Sequence, residues 1–289
     1  GKVFGSGSRN TVAIFLLVRT AGHEGSATVR YRDIGDYLTS EEKLQIVGDA
    51  SLGAIPWREI APNRHGDWIN QRDEDYLTYP ILGDRKRTEP PSVPSVFTLY
   101  SLGVATGRDA WAYNFGSAAL ARNAENGISE YNRQVAAIGG TDATPAMDKS
   151  KFSWNENARA DLRRGRRYTY SPDHIQLSLY RPFTKSNLYF DSSLNARRYQ
   201  LPNIFPTSKH ANFGFYLTGI ASHHEFSLFG TRLVPDLHTL DSGQFFPRYR
   251  WELLPDGELD LGLDGDIVDG YRRIDNITDE FHALMRERY

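Results

Sequence analysis

Hydrophobic positions along this chain either cluster or alternate, and the pattern predicts a mixture of strands and helices. Residues 11–18 are almost entirely apolar and rich in β-branched side chains, which predicts a strand buried on both faces. Residues 27–31 alternate in polarity and predict a second strand that pairs with the first. Further strands are predicted at 96–104, 111–115, 175–180 and 213–218.

Capping and turn residues indicate where helices and loops lie. Thr39 followed by Glu42 forms a capping-box pattern, which predicts a helix that runs to about Gly48. A proline-rich connector is predicted at 85–94, and Asp256-Gly257 favours a hairpin turn. Other helices are predicted at 117–138, 155–164 and 280–288. Together these elements predict an α+β fold, a β-rich mixed domain with several helices.

The composition is that of an ordinary globular protein. The 289 residues, 39% hydrophobic and 12% aromatic, allow one large domain or two modest ones. The chain has no cysteine, which excludes disulfides and thiolate metal sites and favours an intracellular location. No apolar run is long enough to cross a membrane, and no signal-like segment is present.

Charge is segregated along the chain although the net charge is only −2. Residues 159–198 carry nine Arg or Lys against three Asp, a balance of +6. Residues 252–280 carry ten Asp or Glu against two Arg, a balance of −8. Two interpretations remain open at this point: two solvated surfaces of opposite charge, or a basic face that binds a polyanion.

Motifs for cofactors and catalysis are weak. The loop Gly5-Ser6-Gly7-Ser8 suggests a phosphate cradle, but Arg9 and Asn10 follow it where a P-loop requires Lys and Ser or Thr. The loop also precedes a predicted strand, whereas a dinucleotide loop opens a helix. The sequence 223–225 (HHE) lacks the spacing that brings two histidines to one helical face, and no G-x-S-x-G elbow occurs. We therefore predict neither catalytic residues nor a metal site.

Arginines concentrate at the end of the predicted helix 155–164. Guanidinium groups suit bidentate contacts to phosphate, although cations near a helix C-terminus also stabilise the helix itself. The candidate phosphate-binding residues are Arg159, Arg163, Arg164, Arg166 and Arg167. A second group mixes cations and amides with aromatic residues, which suits contacts to DNA bases or backbone. Its candidates are Arg181, Lys185, Asn195, Arg197, Arg198 and Gln200, and Arg108 and Asn114 are further candidates for the same contacts outside this cluster.

Three longer segments carry a family resemblance. They are 4–19 (FGSGSRNTVAIFLLVR), 100–115 (YSLGVATGRDAWAYNF) and 180–206 (YRPFTKSNLYFDSSLNARRYQLPNIFP). In this order they resemble the C-terminal methylase and target-recognition region of type ISP restriction–modification enzymes. These single-polypeptide bacterial proteins combine nuclease, helicase-like translocase, adenine methyltransferase and DNA-recognition domains. Segments 63–72 and 269–279 are also similar to the family.

The resemblance implies a division of the chain. Residues 1–38 would be the last strands of an α/β adenine methyltransferase domain. Residues 39–289 would be the DNA target-recognition domain, with a C-terminal helix starting within 276–289. The Asn-Pro-Pro-Tyr/Phe motif that binds the flipped adenine does not occur, since Glu89 precedes Pro90-Pro91. The chain is thus expected to be a piece of the enzyme that carries specificity without catalysis and without a bound cofactor.

The resemblance also implies what the parent enzyme would need and where it would act. S-adenosylmethionine, ATP and Mg²⁺ are expected for the parent, which would be a bacterial cytoplasmic protein. The partners of this segment would be double-stranded DNA and the upstream methyltransferase, helicase and nuclease domains. Two alternatives stay open: a protein-interaction module with a basic patch, and a self-contained enzyme with an unrecognised site. Arg181 and Phe183 are equally interpreted as packing residues.

Overall fold

The computed structural model describes residues 12–83, 94–146, 148–219, 222, 224–255 and 266–289. The chain forms two units, one ending at Leu77 and the other comprising Thr78–Tyr289. The predicted glycine loop at 5–8, nearly all of the connector at 85–94 and the Asp256-Gly257 turn lie outside the described residues.

The described residues of the first unit form a short two-stranded sheet and one α-helix. Strand β1 (Val29–Tyr31) pairs antiparallel with β2 (Arg58–Ile60). Helix α1 (Ser40–Gly48) begins with the predicted capping box. In it the Glu42 backbone N–H donates to Thr39 Oγ1 at 3.2 Å, and the Thr39 N–H donates to the Glu42 carboxylate at 2.7 Å. Two backbone donors at the helix start are thereby satisfied, and the predicted helix is confirmed.

The predicted buried strand at 11–18 is wrong over the part that the structure describes. Residues 12–20 form no strand and are exposed along their length; Leu17 and Val18 each keep 81% of their surface in contact with solvent. A strand exists only through hydrogen bonds to a neighbouring strand, and no described segment pairs with this one. Apolar composition alone does not supply that partner.

The described residues of the second unit form four helices and eleven strands. The helices are α2 (Asp109–Ala112), α3 (Ser117–Ile138), α4 (Glu156–Arg163) and α5 (Asp279–Arg288). The strands up to residue 218 are β3 (Ser101–Leu102), β4 (Tyr113–Asn114), β5 (Ile175–Arg181), β6 (Thr184–Tyr189) and β7 (Gly214–Thr218). The later strands are β8 (Leu228–Thr231), β9 (Val234–Pro235), β10 (Gly243–Pro247), β11 (Tyr249–Leu253), β12 (Ile267–Val268) and β13 (Tyr271–Asp275). The α+β class predicted from the sequence is confirmed.

These strands form three sheets within the described residues. One has the order β3-β10-β7-β8 and is antiparallel throughout. The second has the order β4-β6-β5-β9, in which only β5 and β9 run parallel. The third has the order β11-β13-β12. Most of the strand pairs are antiparallel, and several of them join strands that are not consecutive along the chain, such as β3 with β10.

Helix α3 provides one wall of the main core. Its buried residues recur at intervals of three or four, so one face of the helix is apolar, as an amphipathic helix requires. They include Leu120, Ala124, Ile128, Tyr131 and Val135. This face packs with buried side chains of α4, β6 and the neighbouring loops. The helix has the bounds predicted from the sequence.

Alternate residues of strands β7 and β10 reach two different cores. Tyr216 and Phe245 lie opposite each other in the main core. Leu217 and Phe246 lie on the other face, where they form a smaller cluster with Phe97. Because successive strand residues point to opposite faces, this sheet is covered on both sides over its central part.

Two predicted strands are shorter than the sequence suggests. Of 96–104 only Ser101–Leu102 is a strand, because its neighbours bond to separate elements: the Val96 N–H to Ile81, and the Val104 N–H to Pro235. Of 111–115, Tyr113–Asn114 is a strand, and the preceding residues belong to α2. Each of these two apolar segments therefore contributes to several short elements and not to one long strand.

A buried histidine joins the third sheet to the preceding loop. The ring of His210 lies edge-on to Trp251 and Tyr271, with centroids 4.7 and 4.9 Å away. Its Nε2 lies 3.1 Å from the Val268 carbonyl oxygen, and Nδ1 accepts from the Thr207 N–H at 3.2 Å. Burial lowers the pKa of His210 below its usual value. The neutral imidazole, with its proton on Nε2, fits both bonds.

We expect this site to make stability fall with acidification. The unfolded chain takes up a proton on His210 near pH ~6.5, whereas the folded chain does so only at lower pH, so the free energy of unfolding decreases as pH falls through that interval. Thermal unfolding followed by circular dichroism between pH ~7 and ~5 should give a flatter profile for His210→Gln than for the wild type. The exposed His224→Gln serves as the control and should keep the wild-type profile. A wild-type slope in His210→Gln would contradict the assignment.

Candidate nucleic-acid interface

The five candidate phosphate-binding arginines lie on α4 and the loop that follows it. Helix α4 begins at its cap Asn155, whose Oδ1 accepts from the Ala158 N–H at 2.9 Å. It ends in a Schellman motif, in which the Gly165 N–H donates to Leu162 at 2.8 Å and the Arg166 N–H to Asp161 at 2.9 Å. Gly165 adopts φ +66°, a left-handed conformation that favours glycine. The turn thereby fixes the backbone that carries the arginines.

Helix α3 holds this loop from the other side. The Tyr131 hydroxyl donates to the Arg166 carbonyl at 2.9 Å. The Asn132 side chain bonds both backbone groups of Tyr168, at 2.8 and 3.0 Å. The Tyr131 and Tyr168 rings stack with centroids 3.9 Å apart, and the Tyr168 hydroxyl donates to Asp161 at 3.0 Å. The loop is therefore fixed at both its ends. We name 163–167 the arginine loop.

The side chains of the arginine loop project into solvent, as does that of Arg159. Arg164 and Arg166 lie 3.6 and 3.9 Å from the Asp161 carboxylate, long contacts that compensate little of their charge. Within the described residues, Arg163 and Arg167 form no ion pair. The backbone is rigid while the cationic groups stay hydrated and accessible, the arrangement expected of a surface that binds phosphates.

Two members of the second candidate group are also exposed. Lys185 projects from β6, and Arg197 lies in a segment that pairs with Ala105 through two backbone bonds of 2.9 Å. The Asn157 side chain of α4 donates to the carbonyl of Ala196 at 2.9 Å. Arg197 is therefore attached to the same helix that carries Arg159 and Arg163. The structure brings these three arginines into one region.

Arg108 and Asn195 are buried, contrary to a role at bases. Arg108 is 6% exposed; its Nη1 donates to the Ser153 carbonyl at 2.7 Å, and its guanidinium lies 5.3 Å from the Phe152 ring centroid. Burial lowers the pKa of Arg108 to about 10. Asn195 is 2% exposed and donates to the Tyr189 carbonyl at 3.1 Å. Both side chains are enclosed, and we interpret them as structural.

Three further candidates are partly buried and bonded locally. Asn114 Oδ1 accepts from the Gly116 N–H at 2.8 Å, at the start of α3. Arg198 lies 5.4 Å from the Phe190 ring centroid, and burial lowers its pKa. Gln200 Oε1 accepts from the Asn203 amide at 2.9 Å. These bonds hold the side chains to the protein surface, so they are less available than those of the arginine loop.

Comparison with known proteins identifies the family. The profile of the type ISP C-terminal specificity domain matches residues 95–289, about two thirds of the chain. The chain belongs to the type ISP C-terminal specificity domain family. Among curated protein sequences, none matches the chain.

Solved structures of larger proteins agree with this assignment. One is a nuclease-deletion mutant of the type ISP restriction–modification enzyme LlaGI in complex with a DNA substrate mimic, with 30% identity and a TM-score of 0.66. Another is the DrdV–DNA complex, with 26% identity and a TM-score of 0.68. Each comparison covers 91% of this chain and 25% of the other, so the chain spans about a quarter of the length of these relatives.

A third structure shares the fold. It is the ATP-dependent type ISP restriction–modification enzyme LlaBIII bound to DNA, with 24% identity and a TM-score of 0.67 over 90% of this chain and 16% of that one. Within the described part of the specificity domain, no group of three metal-ligating side chains occurs, and no helix is long and apolar enough to span a bilayer.

Arg181 of the specificity domain is a structural residue at the end of β5. Its Nη1 donates to the Asp236 carboxylate at 2.6 Å, and Nη2 lies 3.5 Å from Asp109. The guanidinium lies 4.0 Å from the Tyr180 ring centroid. The packing role considered for Arg181 agrees with these contacts. It does not extend to Phe183, which is fully exposed.

We expect Arg181→Met to destabilise the specificity domain. The substitution leaves the buried Asp236 carboxylate without its cation, at a cost of about 2 kcal/mol in the free energy of unfolding, since the arginine is partly solvated. Urea unfolding measures the change. Lys185→Met, an exposed position on the same hairpin, is the matched control and should change stability by less than about 0.5 kcal/mol. Equal stability of the two variants would show that the ion pair is unimportant.

Proposed function

We propose that this chain recognises duplex DNA as the specificity module of a longer type ISP restriction–modification enzyme. The observation that carries the proposal is the arginine loop, a rigid backbone turn that presents solvated guanidinium groups beside α4. The matched structures of LlaGI and DrdV contain DNA, which supports duplex DNA as the polyanion. A surface of this kind provides the sequence-independent part of binding and orients the protein on the duplex.

The residues would divide the work as follows. Arg159 and the arginine loop bind phosphates, while Lys185 and Arg197 contact bases or the adjacent backbone. A partly solvated Arg or Lys at a groove edge pairs with guanine acceptors, which gives sequence discrimination. Arg108, Asn195 and Arg181 support the fold beneath this surface and do not contact DNA in this proposal.

The remaining domains of the parent would supply the chemistry. Residues 1–38 would complete the sheet of an adenine methyltransferase domain; the exposed apolar side chains at 12–18 support this, because such a segment is stable in a sheet that pairs with it. S-adenosylmethionine would donate the methyl group, and ATP with Mg²⁺ would drive translocation in the parent. In this proposal the chain recognises DNA, and the methyl-transfer and translocation steps belong to the other domains of the parent.

A salt titration of DNA binding tests the proposal. Fluorescence anisotropy with a labelled mixed-sequence duplex should show affinity that falls steeply as salt rises, because bound cations displace counterions from the phosphates. The double variant Arg163→Ala, Arg166→Ala should lower the slope of log K against log salt by about 2, roughly one for each phosphate contact.

The control removes the same charge elsewhere. Arg286→Ala, Arg288→Ala changes two exposed arginines at the end of α5, and it should leave the slope near the wild-type value. Absence of binding to any duplex at low salt, or equal slopes in the two double variants, would refute the DNA-binding role of the arginine loop. An affinity for acidic proteins without affinity for DNA would favour the protein-interaction alternative.

A further inference from the structure

The turn between β5 and β6 carries a fully exposed aromatic ring in an unfavourable backbone conformation. The turn runs from Arg181 to Thr184, which are paired residues, with Pro182 and Phe183 between them. Phe183 has φ +61° and 102% relative exposure. In a two-residue turn with proline first, the second position with positive φ is normally glycine or asparagine, because a Cβ is strained there.

Contacts of the ring itself do not offset these two costs in the described part of the chain. Within the described residues, the Phe183 ring stacks on no other aromatic ring and lies under no cation. The large apolar side chain of Phe183 is left in water, and its backbone has a left-handed conformation that residues with a Cβ disfavour. Residues that break local rules without a structural benefit are candidates for function.

Several contacts fix the residues at the base of the same turn. Arg181 is clamped between Asp236 and Asp109 and lies on the Tyr180 ring. The Tyr180 hydroxyl donates to Asp109 at 2.9 Å. Phe183 therefore projects from a support that is held in place, so its ring can enter a partner without ordering the turn at the moment of binding.

The hairpin is linked to the candidate DNA surface through one short segment. Asp109, which contacts Arg181, lies three residues after Thr106, and the Thr106 carbonyl accepts from the Ala196 N–H at 3.1 Å. Ala196 precedes the exposed Arg197 and is bonded to α4 through Asn157. The exposed Lys185 follows the turn. An exposed aromatic ring close to the exposed Lys185, on a hairpin that these bonds link to the segment carrying Arg197, suits nucleic acid, whose phosphates attract cations and whose bases can contact the ring.

We propose that Phe183 is an apolar wedge that enters a base step of the duplex while the arginine loop binds phosphates. This inference rests on the proposed function. The ring would insert between two neighbouring bases, so that base–phenyl contacts replace the stacking of those bases on each other. The duplex would therefore be unstacked locally where the protein binds. Such a contact adds affinity that does not depend on released counterions, and it therefore acts separately from the arginines.

Binding measured across a range of salt concentrations separates the contribution of the Phe183 ring from that of the arginine loop. We expect Phe183→Ala to weaken binding to the labelled mixed-sequence duplex by about 5- to 100-fold at every salt concentration, the range for loss of one aromatic–base contact. The slope of log K against log salt should stay at the wild-type value, unlike that of Arg163→Ala, Arg166→Ala. Phe226→Ala removes another phenylalanine, 75% exposed on the β7–β8 connection, and should bind as the wild type does.

A second duplex tests the wedge itself. A central mismatch lowers the cost of opening a base step, so the wild type should bind the mismatched duplex more tightly than the matched one. Phe183→Ala should lose that preference. Phe183→Gly, which relieves the left-handed strain, should lose affinity as Phe183→Ala does while its melting temperature stays at or above the wild-type value.

The outcomes distinguish this inference from the proposed function. Wild-type affinity in Phe183→Ala, with the arginine variants still affected, would overturn the wedge alone and leave the proposed DNA-binding role of the arginine loop intact. A wild type that binds no duplex would overturn both. A drop in melting temperature for Phe183→Gly would assign the ring to the stability of the fold, and a preference for mismatches retained by Phe183→Ala would exclude insertion.

Discussion

A buried carboxylate, that of Asp236, constrains the arrangement of the second unit. Asp236 accepts from Arg181 at 2.6 Å, from the Tyr113 hydroxyl at 3.1 Å and from the His238 N–H at 2.9 Å. Burial raises its pKa, and the Arg181 guanidinium opposes that effect. A carboxylate removed from water is tolerated only when charge and hydrogen bonds replace its hydration, so these partners must occupy fixed positions. Strands β4, β5 and β9 are thereby held together at one point.

The backbone around this carboxylate is just as tightly placed. The Tyr216 hydroxyl of β7 donates to the Asp236 carbonyl at 3.2 Å, and the Asp236 N–H donates to the Leu179 carbonyl at 3.1 Å. A Cβ at Gly103 would lie 2.3 Å from the Asp236 carbonyl oxygen, so this approach requires glycine. Asn276 makes a comparable junction farther on, with amide bonds to the Leu99 and Pro247 carbonyls of 2.8 Å each. Segments distant in sequence are thus joined by buried polar groups as well as by apolar packing.

The sequence predicted those elements whose signals are local. Helix α3 was predictable from its apolar spacing, α1 from its capping box, and the exposure of the arginine loop from its density of cations around Gly165. The segment 11–18 was mispredicted because pairing decides whether an apolar run becomes a strand. Arg108 and Asn195 resemble Arg163 in chemistry, yet they are enclosed. A polar side chain of this kind either contacts a ligand or forms hydrogen bonds inside the protein. The outcome depends on partners distant along the chain or on the local fold, here the carbonyls of Ser153 for Arg108 and of Tyr189 for Asn195, which a local sequence pattern does not reveal.

The arginine loop and the turn at Phe183 differ in how far local sequence preferences explain their conformations. The arginine loop follows local rules, with Asn155 at the helix start and Gly165 at its end, so its geometry costs the fold little and its charges are displayed without strain. The turn at Phe183 departs from those rules, next to an Arg181 that Asp236 holds in place. Charges that hydrate freely suit contacts that position the protein on any duplex, whereas a strained aromatic ring exposed to water gains free energy only when a partner buries it. In the proposed interface, the arginine loop therefore follows from a local sequence pattern, whereas the turn at Phe183 combines an unfavourable local conformation with the tertiary contacts of Arg181.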